Sequence, residues 1–297
     1  MISVLIPIYN YDTFPLVKEI HTQLIESEVV FEIICIDDAS RVEFTKNNNA
    51  ITTLSFSKLE ILEQNIGRSK IRNSLATSAK YDWLLFLDTD VLPEKSNFIN
   101  NYLEAISEEN SVVCGGIKYQ IEKPNNEKIL HWVYGKNREE TSLSIRNNKP
   151  YNHFFSANFL IHKKIFSAIK FNKTLTKYGH EDTLFALDLK KKKMNIKHVD
   201  NSVFHRGLET DTIFIKKTKD SIENAFYLYQ KKLIVKNDLR LIDAFIRLKS
   251  LKMVNLFTYF YKILHKKLEI NLRSEKPSLF LFDIYKLGYL CSISISG

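Results

Sequence analysis

Short apolar runs that stop on carboxylates or turn residues recur through the first third of the chain. Ser3–Tyr9 (SVLIPIY) is such a run, ended by Asn and Asp, and it reads as a buried strand. Leu16–Ser27 places apolar residues at 16, 17, 20, 24 and 25, which is helical spacing. Phe31–Ser40 (FEIICIDDAS) is a second buried strand, and it stops abruptly in carboxylates. Leu54–Asn65 holds a third strand, and Gly67–Lys80 (GRSKIRNSLATSAK) is a helix with glycine at its start. Asp82–Pro93 (DWLLFLDTDVLP) is a fourth strand, again ending in carboxylates. Strand–helix alternation of this kind predicts an α/β fold with a mostly parallel, Rossmann-like central sheet flanked by helices.

Beyond Pro93 the pattern loosens. Ser111–Ile121 reads as one strand, Phe154–Ile169 as a strand turning into a helix, and Asn195–Gly207 as a final strand and its exit. EKPNNEK and IRNNKPYNH read as loops. From Thr212 onward the chain reads as helical, and Leu239–Leu268 mixes basic and apolar residues at helical spacing with no Pro or Gly. The expected domains are 1–210, an α/β domain, and 211–297, a basic helical extension.

Charge sharpens that division. The chain has 297 residues and a formal net charge of +9. From Gln230 to the end there are 13 Lys/Arg against 5 Asp/Glu, leaving 30 against 29 before it, so the basic excess belongs to the tail. The three cysteines form no CxxC pair, which argues against a disulfide framework or a structural zinc site and fits a reducing, cytoplasmic setting. The apolar start has no basic leader and is interrupted by Pro7 and Asn10, unlike a signal peptide. The most apolar late stretch is broken by Asp283 and Lys286, so no membrane span is expected. No nucleic-acid-binding module accompanies the basic charge, and no nucleic-acid partner is expected.

The candidate chemistry lies at the strand ends, where ligands of such sheets bind. Asp37 and Asp38 end the second strand, and Asp88 and Asp90 end the fourth. Asp-x-Asp can bind Mg²⁺ or Mn²⁺ together with substrate phosphates, or it can be a solvated turn before Pro93. Asp37 and Asp38 are equally readable as a turn or as nucleotide recognition. Gly67 near a helix start, with Arg68, Lys70 and Arg72, suits an anion, or is a basic solvated face. In KYGHEDTLFALDL, Glu181 and Asp182 are either cap and dipole residues or a base aimed into a cleft.

The order of these motifs carries more than any one of them. VLIPIYN, IDDAS, NIGRSKIRN, FLDTD, SANF, YGHEDTLFALDL and HRG follow one another in a way that closely resembles the family 2 glycosyltransferases of the GT-A fold, over about residues 1 to 210. The resemblance implies an inverting transfer of sugar from a nucleotide diphosphate sugar, with uridine as the expected base. It implies Mn²⁺ or Mg²⁺ as cofactor and a glycan or lipid-linked acceptor. By that resemblance Pro7 and Tyr9 would border the base, Asp37 would contact it, and Asp38 would shape the turn. Gly67, Arg68 and Arg72 would lie beside the nucleotide. Asp88 would contact ribose or donor sugar and share the metal site with Asp90 and His205. Asp182 would be the catalytic base, Glu181 its positioning neighbour, and Asn158 an acceptor-side residue. Ala39 stands where glycine is common. The basic tail is read either as an appendage packed on the main domain or as a peripheral anchor to an anionic membrane surface at the inner face. A non-catalytic sugar-nucleotide binder on the same fold and a nucleotidyltransferase are the alternatives. The latter would be expected to carry a glycine-rich phosphate loop near its N-terminus, and none follows VLIPIYN. A dehydrogenase is disfavoured because no G-x-G-x-x-G follows the first strand.

Overall fold

A computed structural model describes residues 1–107, 112–175 and 177–296. Ten strands are present among them: β1 Ile2–Ile8, β2 Phe31–Asp37, β3 Ser57–Ile61, β4 Trp83–Leu87, β5 Val91–Pro93, β6 Val112–Cys114, β7 Ile117–Lys118, β8 Asn158–His162, β9 Ile196–His198 and β10 Val203–His205. The α-helices are α1 Phe14–Glu26, α2 Val42–Asn48, α3 Arg68–Ser78, α4 Phe98–Ala105, α5 Ile129–Tyr134, α6 Leu143–Asn148, α7 Lys163–Ile169, α8 Glu181–Lys191, α9 Asp211–Gln230, α10 Arg240–Ser250, α11 Val254–Leu272 and α12 Leu279–Ser296. They fall into two compact units: Met1–Gln120 with Arg138–Thr174 and Glu181–Gly207, and Ile121–Asn137 with Leu175–His180 and Leu208–Gly297.

The first unit is a mixed α/β structure built on a seven-stranded sheet, ordered β3-β2-β1-β4-β8-β6-β9. β3, β2, β1 and β4 run parallel, β8 runs antiparallel to both its neighbours, and β6 and β9 are parallel. The strands are near-continuous Val/Ile/Leu/Phe runs because helices cover both faces, and an alternating pattern would have exposed polar residues to apolar partners. One apolar layer gathers Val4, Ile6, Leu24 and Leu85 and another Leu5, Leu75, Phe86 and Phe185, all buried. α8 is held down by Phe185, which stacks on Phe171 at 4.5 Å and Phe154 at 5.3 Å. Full burial of each such ring stabilises by about 1.5–3 kcal/mol.

Several expected elements divide. Ser111, where one strand was expected to start, lies outside the described residues. The rest of that stretch breaks at Gly115-Gly116 into β6 and β7, which join different sheets. A Cβ on Gly115 would sit 2.1 Å from the Asn201 carbonyl, so the chain turns where only glycine fits. Asn195–Gly207 likewise splits into β9 and β10, and β10 pairs with β5 and β7 in a small second sheet. IRNNKPYNH is not a loop: Ser142 caps α6 by accepting from the Ile145 amide, and a 3-10 turn follows at Pro150–His153.

The second unit is helical. Leu130, Ile215, Leu268, Leu272, Phe282 and Tyr285 form its buried core. The long basic stretch read at helical spacing is divided between α10 and α11, where Lys252 takes a φ of 58°. Neither Pro nor Gly marks that break.

Candidate functional site

The parallel register brings the strand-end aspartates to one edge. Ile8 pairs with Asp37, and the Asp38 amide donates to the Ile8 carbonyl at 2.8 Å. Asp37 is fully buried; its Oδ1 accepts from the Ser40 amide at 2.7 Å, and its Oδ2 has no hydrogen-bond partner among the described residues. A buried carboxylate oxygen without a donor is costly, so a ligand N–H at this point would be favoured. Asp38 turns the other way: it accepts from the Ile66 amide at 2.6 Å and the Gly67 amide at 3.0 Å, and so shapes the entry to α3. Asn10, at a φ of 49°, ties the β1 exit to the β2 exit by donating its amide to Ser40 Oγ and accepting from the Arg41 amide. Ala39 takes a φ of 60°, the conformation for which glycine is favoured. Pro7 is half-buried in β1, and Tyr9 beyond it is exposed.

Gly67 begins α3 at a φ of 87° with open space around it, so its requirement is conformational and not steric. Arg68 is exposed on the first turn. Arg72, one turn on, is buried; it donates to Asp88 Oδ1 at 2.5 Å and lies over the Phe171 ring. Removing either partner of this buried pair would leave a charge uncompensated. The Asp88 amide donates to the Ala157 carbonyl, which fixes the strand exit.

Asp90 faces His205 across the β5–β10 pairing, with Oδ2 to Nε2 at 3.4 Å. The Tyr119 ring lies 5.4 Å from the His205 ring, and the Tyr119 hydroxyl donates to Glu139, whose carboxyl burial pushes up. A Cβ on Gly207 would meet Asp90 Oδ2 at 2.1 Å, so the carboxylate occupies a cradle that only glycine leaves open. The Asp90 carboxylate oxygen suits Mn²⁺ or Mg²⁺, which take water and substrate phosphates as further ligands, and the His205 imidazole nitrogen, a softer donor, favours Mn²⁺ of the two. Among the described residues no group of three or more His, Cys, Asp or Glu forms. Asp88, also expected at this site, has its Oδ1 held by Arg72.

Glu181 and Asp182 form the first turn of α8 and Glu181 is buried. Asp182 Oδ2 accepts from the Ser156 amide at 3.0 Å. Burial pushes the Asp182 carboxyl up to about 6; Arg72 opposes the shift, Glu181 adds to it, and Ser156 opposes it. Asp182 therefore lies in the field of the guanidinium that holds Asp88. Its neighbour His180 belongs to the second unit, where its Nε2 meets Ser221 Oγ at 3.1 Å and burial lowers its pKa to about 4.

Asn158, expected on the acceptor side, is buried in β8. Its buried amide donates to the Gly116 and Asn201 carbonyls, both at 2.9 Å, and accepts from the Tyr102 hydroxyl at 2.6 Å, which latches β8 to the loops beside it. Four residues around the Asp90–His205 pair were not singled out from sequence: Tyr11 and Arg206 on the Asp90 side, and Tyr119 and Glu139 on the His205 side. Burial, then Asp90, raises the Tyr11 phenol, and Arg206 opposes. Arg206 stood in the quoted HRG motif; the others carry no local signal.

A seven-stranded, mostly parallel sheet with acidic strand ends is the architecture of GT-A glycosyltransferases. The solved mannosyltransferase PcManGT from Pyrobaculum calidifontis, in complex with GDP-Man and Mn²⁺, aligns with a TM-score of 0.60 at 12% identity, over 99% of this chain and 86% of that one. TarS 1-349 of S. aureus in complex with UDP-GlcNAc aligns with a TM-score of 0.53 at 16% identity, over 99% and 91%. A longer TarS structure aligns at 0.51 and 19% identity over 73% of this chain and 38% of that chain. These likenesses establish the fold. The family model described as Glycosyl transferase family 2 matches residues 3–170, more than half of the chain, and the chain belongs to that family. An uncharacterized glycosyltransferase of Haemophilus influenzae is 35% identical over 108 residues, which span 35% of this chain and 35% of that protein's own length.

Proposed function

We propose that the chain is an inverting, metal-dependent glycosyltransferase. It moves a hexosyl or N-acetylhexosaminyl group from a nucleotide diphosphate sugar, a UDP-sugar, to a hydroxyl of a glycan or lipid-linked acceptor in cell-surface polysaccharide synthesis. Residues 1–210 carry the transfer, and 211–297 form the helical extension, by which the enzyme works at the inner face of the cell membrane. The observation that carries this reading is Asp182, a carboxyl raised to about 6 beside the Arg72–Asp88 pair. A general base is most effective when its pKa lies near the working pH.

In the proposed step Asp182 takes the proton of the acceptor hydroxyl as its oxygen bonds to the anomeric carbon. The bond from that carbon to the diphosphate oxygen breaks, the diphosphate leaves with the electron pair, and the configuration inverts. Mn²⁺ or Mg²⁺ held by Asp90 and His205 would supply positive charge to the leaving diphosphate. Asp37 Oδ2 is available to a base N–H, with Pro7 and Tyr9 bordering the base. Gly67 and Arg68 lie beside the diphosphate, Arg72 fixes Asp88 for ribose or sugar contact, and Glu181 positions Asp182. The GDP-Man, Mn²⁺ and UDP-GlcNAc complexes of fold relatives support this reading.

The test is a screen of nucleotide sugars for hydrolysis with Mn²⁺ and with chelator, followed by calorimetry of UDP binding. Hydrolysis of one donor is expected only with metal. Asp90→Ala should weaken metal-dependent UDP binding at least about 100-fold; unchanged affinity would overturn the assignment.

A further inference from the structure

Helix α11, 19 residues long, has two apolar faces. One is closed: Leu268 and Leu272 are buried in the core of the helical unit with Phe282 and Tyr285, and Thr258 is buried as well. The other is open. Leu256, Tyr259, Phe260, Ile263, Leu264 and Ile270 are each between 40% and 72% exposed. Steps of three and four residues from Leu256 to Leu264, and of seven from Ile263 to Ile270, put them along one stripe. A contiguous exposed stripe of large apolar side chains marks an interaction surface.

The charge around the stripe says what it meets. From Lys252 to Lys267 there are four lysines, Lys252, Lys262, Lys266 and Lys267, all exposed, and no carboxylate. The first acidic residue beyond, Glu269, accepts from the Tyr285 hydroxyl at 2.6 Å and pairs with Lys219 and Arg273. A second copy of the chain docked on this face would bring lysines against lysines. A lipid surface fits better: the apolar stripe enters the acyl boundary, Tyr259 and Phe260 sit at headgroup level, and the lysines reach anionic headgroups on their aliphatic stems. Among the described residues no helix is long and apolar enough to cross a membrane, so the stripe is suited to lying on one.

We infer that the open face of α11 is the surface by which this protein lies on an anionic membrane. The inference sharpens the peripheral placement proposed above to one helix face. It predicts an orientation in which α11 lies flat in the headgroup plane.

The experiment is co-sedimentation of the full chain with vesicles of phosphatidylcholine alone, or of equal parts phosphatidylcholine and phosphatidylglycerol, without donor or acceptor. Wild type is expected to bind the anionic vesicles at least about tenfold better, because each lysine near such a surface contributes about fivefold. Phe260→Glu/Ile263→Glu and Lys262→Glu/Lys266→Glu/Lys267→Glu should each lose at least about tenfold in partitioning. Both should retain the wild-type thermal midpoint and far-ultraviolet circular dichroism, which shows that they fold. Binding by both variants equal to wild type overturns the inference, as does failure of wild type to bind anionic vesicles. A dimer in sedimentation velocity that Phe260→Glu/Ile263→Glu dissolves, without vesicle binding, assigns the face to a second copy. Because no sugar transfer is read, a failure here leaves the transfer reading standing, and an inactive enzyme leaves this one standing.

Discussion

Two helices of this protein, α8 and α9, carry in their first turn an aspartate whose carboxyl burial raises to about 6. Each aspartate tethers a distant backbone amide: Asp182 accepts from Ser156 at 3.0 Å, and Asp211 from Leu130 at 2.9 Å. By pKa alone they are indistinguishable. Their surroundings differ. Asp182 keeps partial solvent contact and lies in the field of Arg72, which holds Asp88 at the sheet edge. Asp211 is 4% exposed and joins α5 to α9 beside the His131–Phe214 stack. A raised carboxyl is a statement about burial; it becomes a statement about chemistry only where a substrate can reach it and other binding groups face it.

The largest expected effect separates the two. Asp182→Asn should lower kcat by about 10²–10⁴-fold while nucleotide affinity stays within about twofold, because the change removes the proposed base and not a donor contact. Asp211→Asn should leave kcat within about twofold. Steady-state kinetics with calorimetry on both variants checks this, and equal effects would erase the distinction. The proposed base also sets the expected pH dependence. Asp182 must be ionised to accept a proton, so kcat/KM should fall about tenfold per pH unit below about 6 and level off above it. A profile flat from pH 5 to 7 would place the base elsewhere.

Smaller and more local is the effect of Gly207→Ala. The new Cβ would displace the Asp90 carboxylate and should weaken metal-dependent UDP binding about 10–100-fold. UDP binding in chelator should be unchanged. Equal loss with and without metal would show that Gly207 supports the edge in general and not Asp90 in particular.

The parts of this site that were legible in sequence are those where a local pattern and a fold rule coincide. Buried runs ending at Asp37, Asp88 and Asp90 predict strand ends, and parallel register then brings Asp37 and Asp88 to one edge. The glycine before Arg68 predicts a helix start. What was not legible is set by distant pairing. Glu139 reaches Tyr119 from 20 residues away, and nothing in either neighbourhood encodes that meeting. Asn158 looked functional beside Ser156 because a buried amide latch and a ligand contact use the same residue type. His180 precedes Glu181 in sequence yet belongs to the other unit, since Ser221 and the Asn224 amide, which donates to the Lys177, Tyr178 and Gly179 carbonyls, hold its loop. The α10–α11 break was hidden because a lysine, not a glycine, adopts the left-handed turn.

The smallest expected effect is on stability, and its sign tests the comparison from the other side. A carboxyl raised from its ordinary 3.8 to about 6 on folding means that the folded protein holds the proton more tightly than the unfolded chain. The stabilisation from that proton is fully present below about 3.8 and is lost as pH rises through 6. Above pH 7 the ionised, half-buried Asp182 therefore costs the fold on the order of 1–3 kcal/mol relative to a neutral side chain. Asparagine keeps the acceptor for the Ser156 amide and cannot ionise. Asp182→Asn should therefore, for all its loss of rate, melt a few degrees above wild type at pH 7.5, with the difference vanishing near pH 4. Asp211→Asn should gain less at pH 7.5, because Asp211 Oδ2 has no partner among the described residues and an amide placed there would bury an unsatisfied donor. Thermal midpoints of the three proteins at the two pH values decide it. A gain for Asp182→Asn that did not depend on pH would mean that the carboxyl is not raised by folding, and the base would have to be sought elsewhere on the edge.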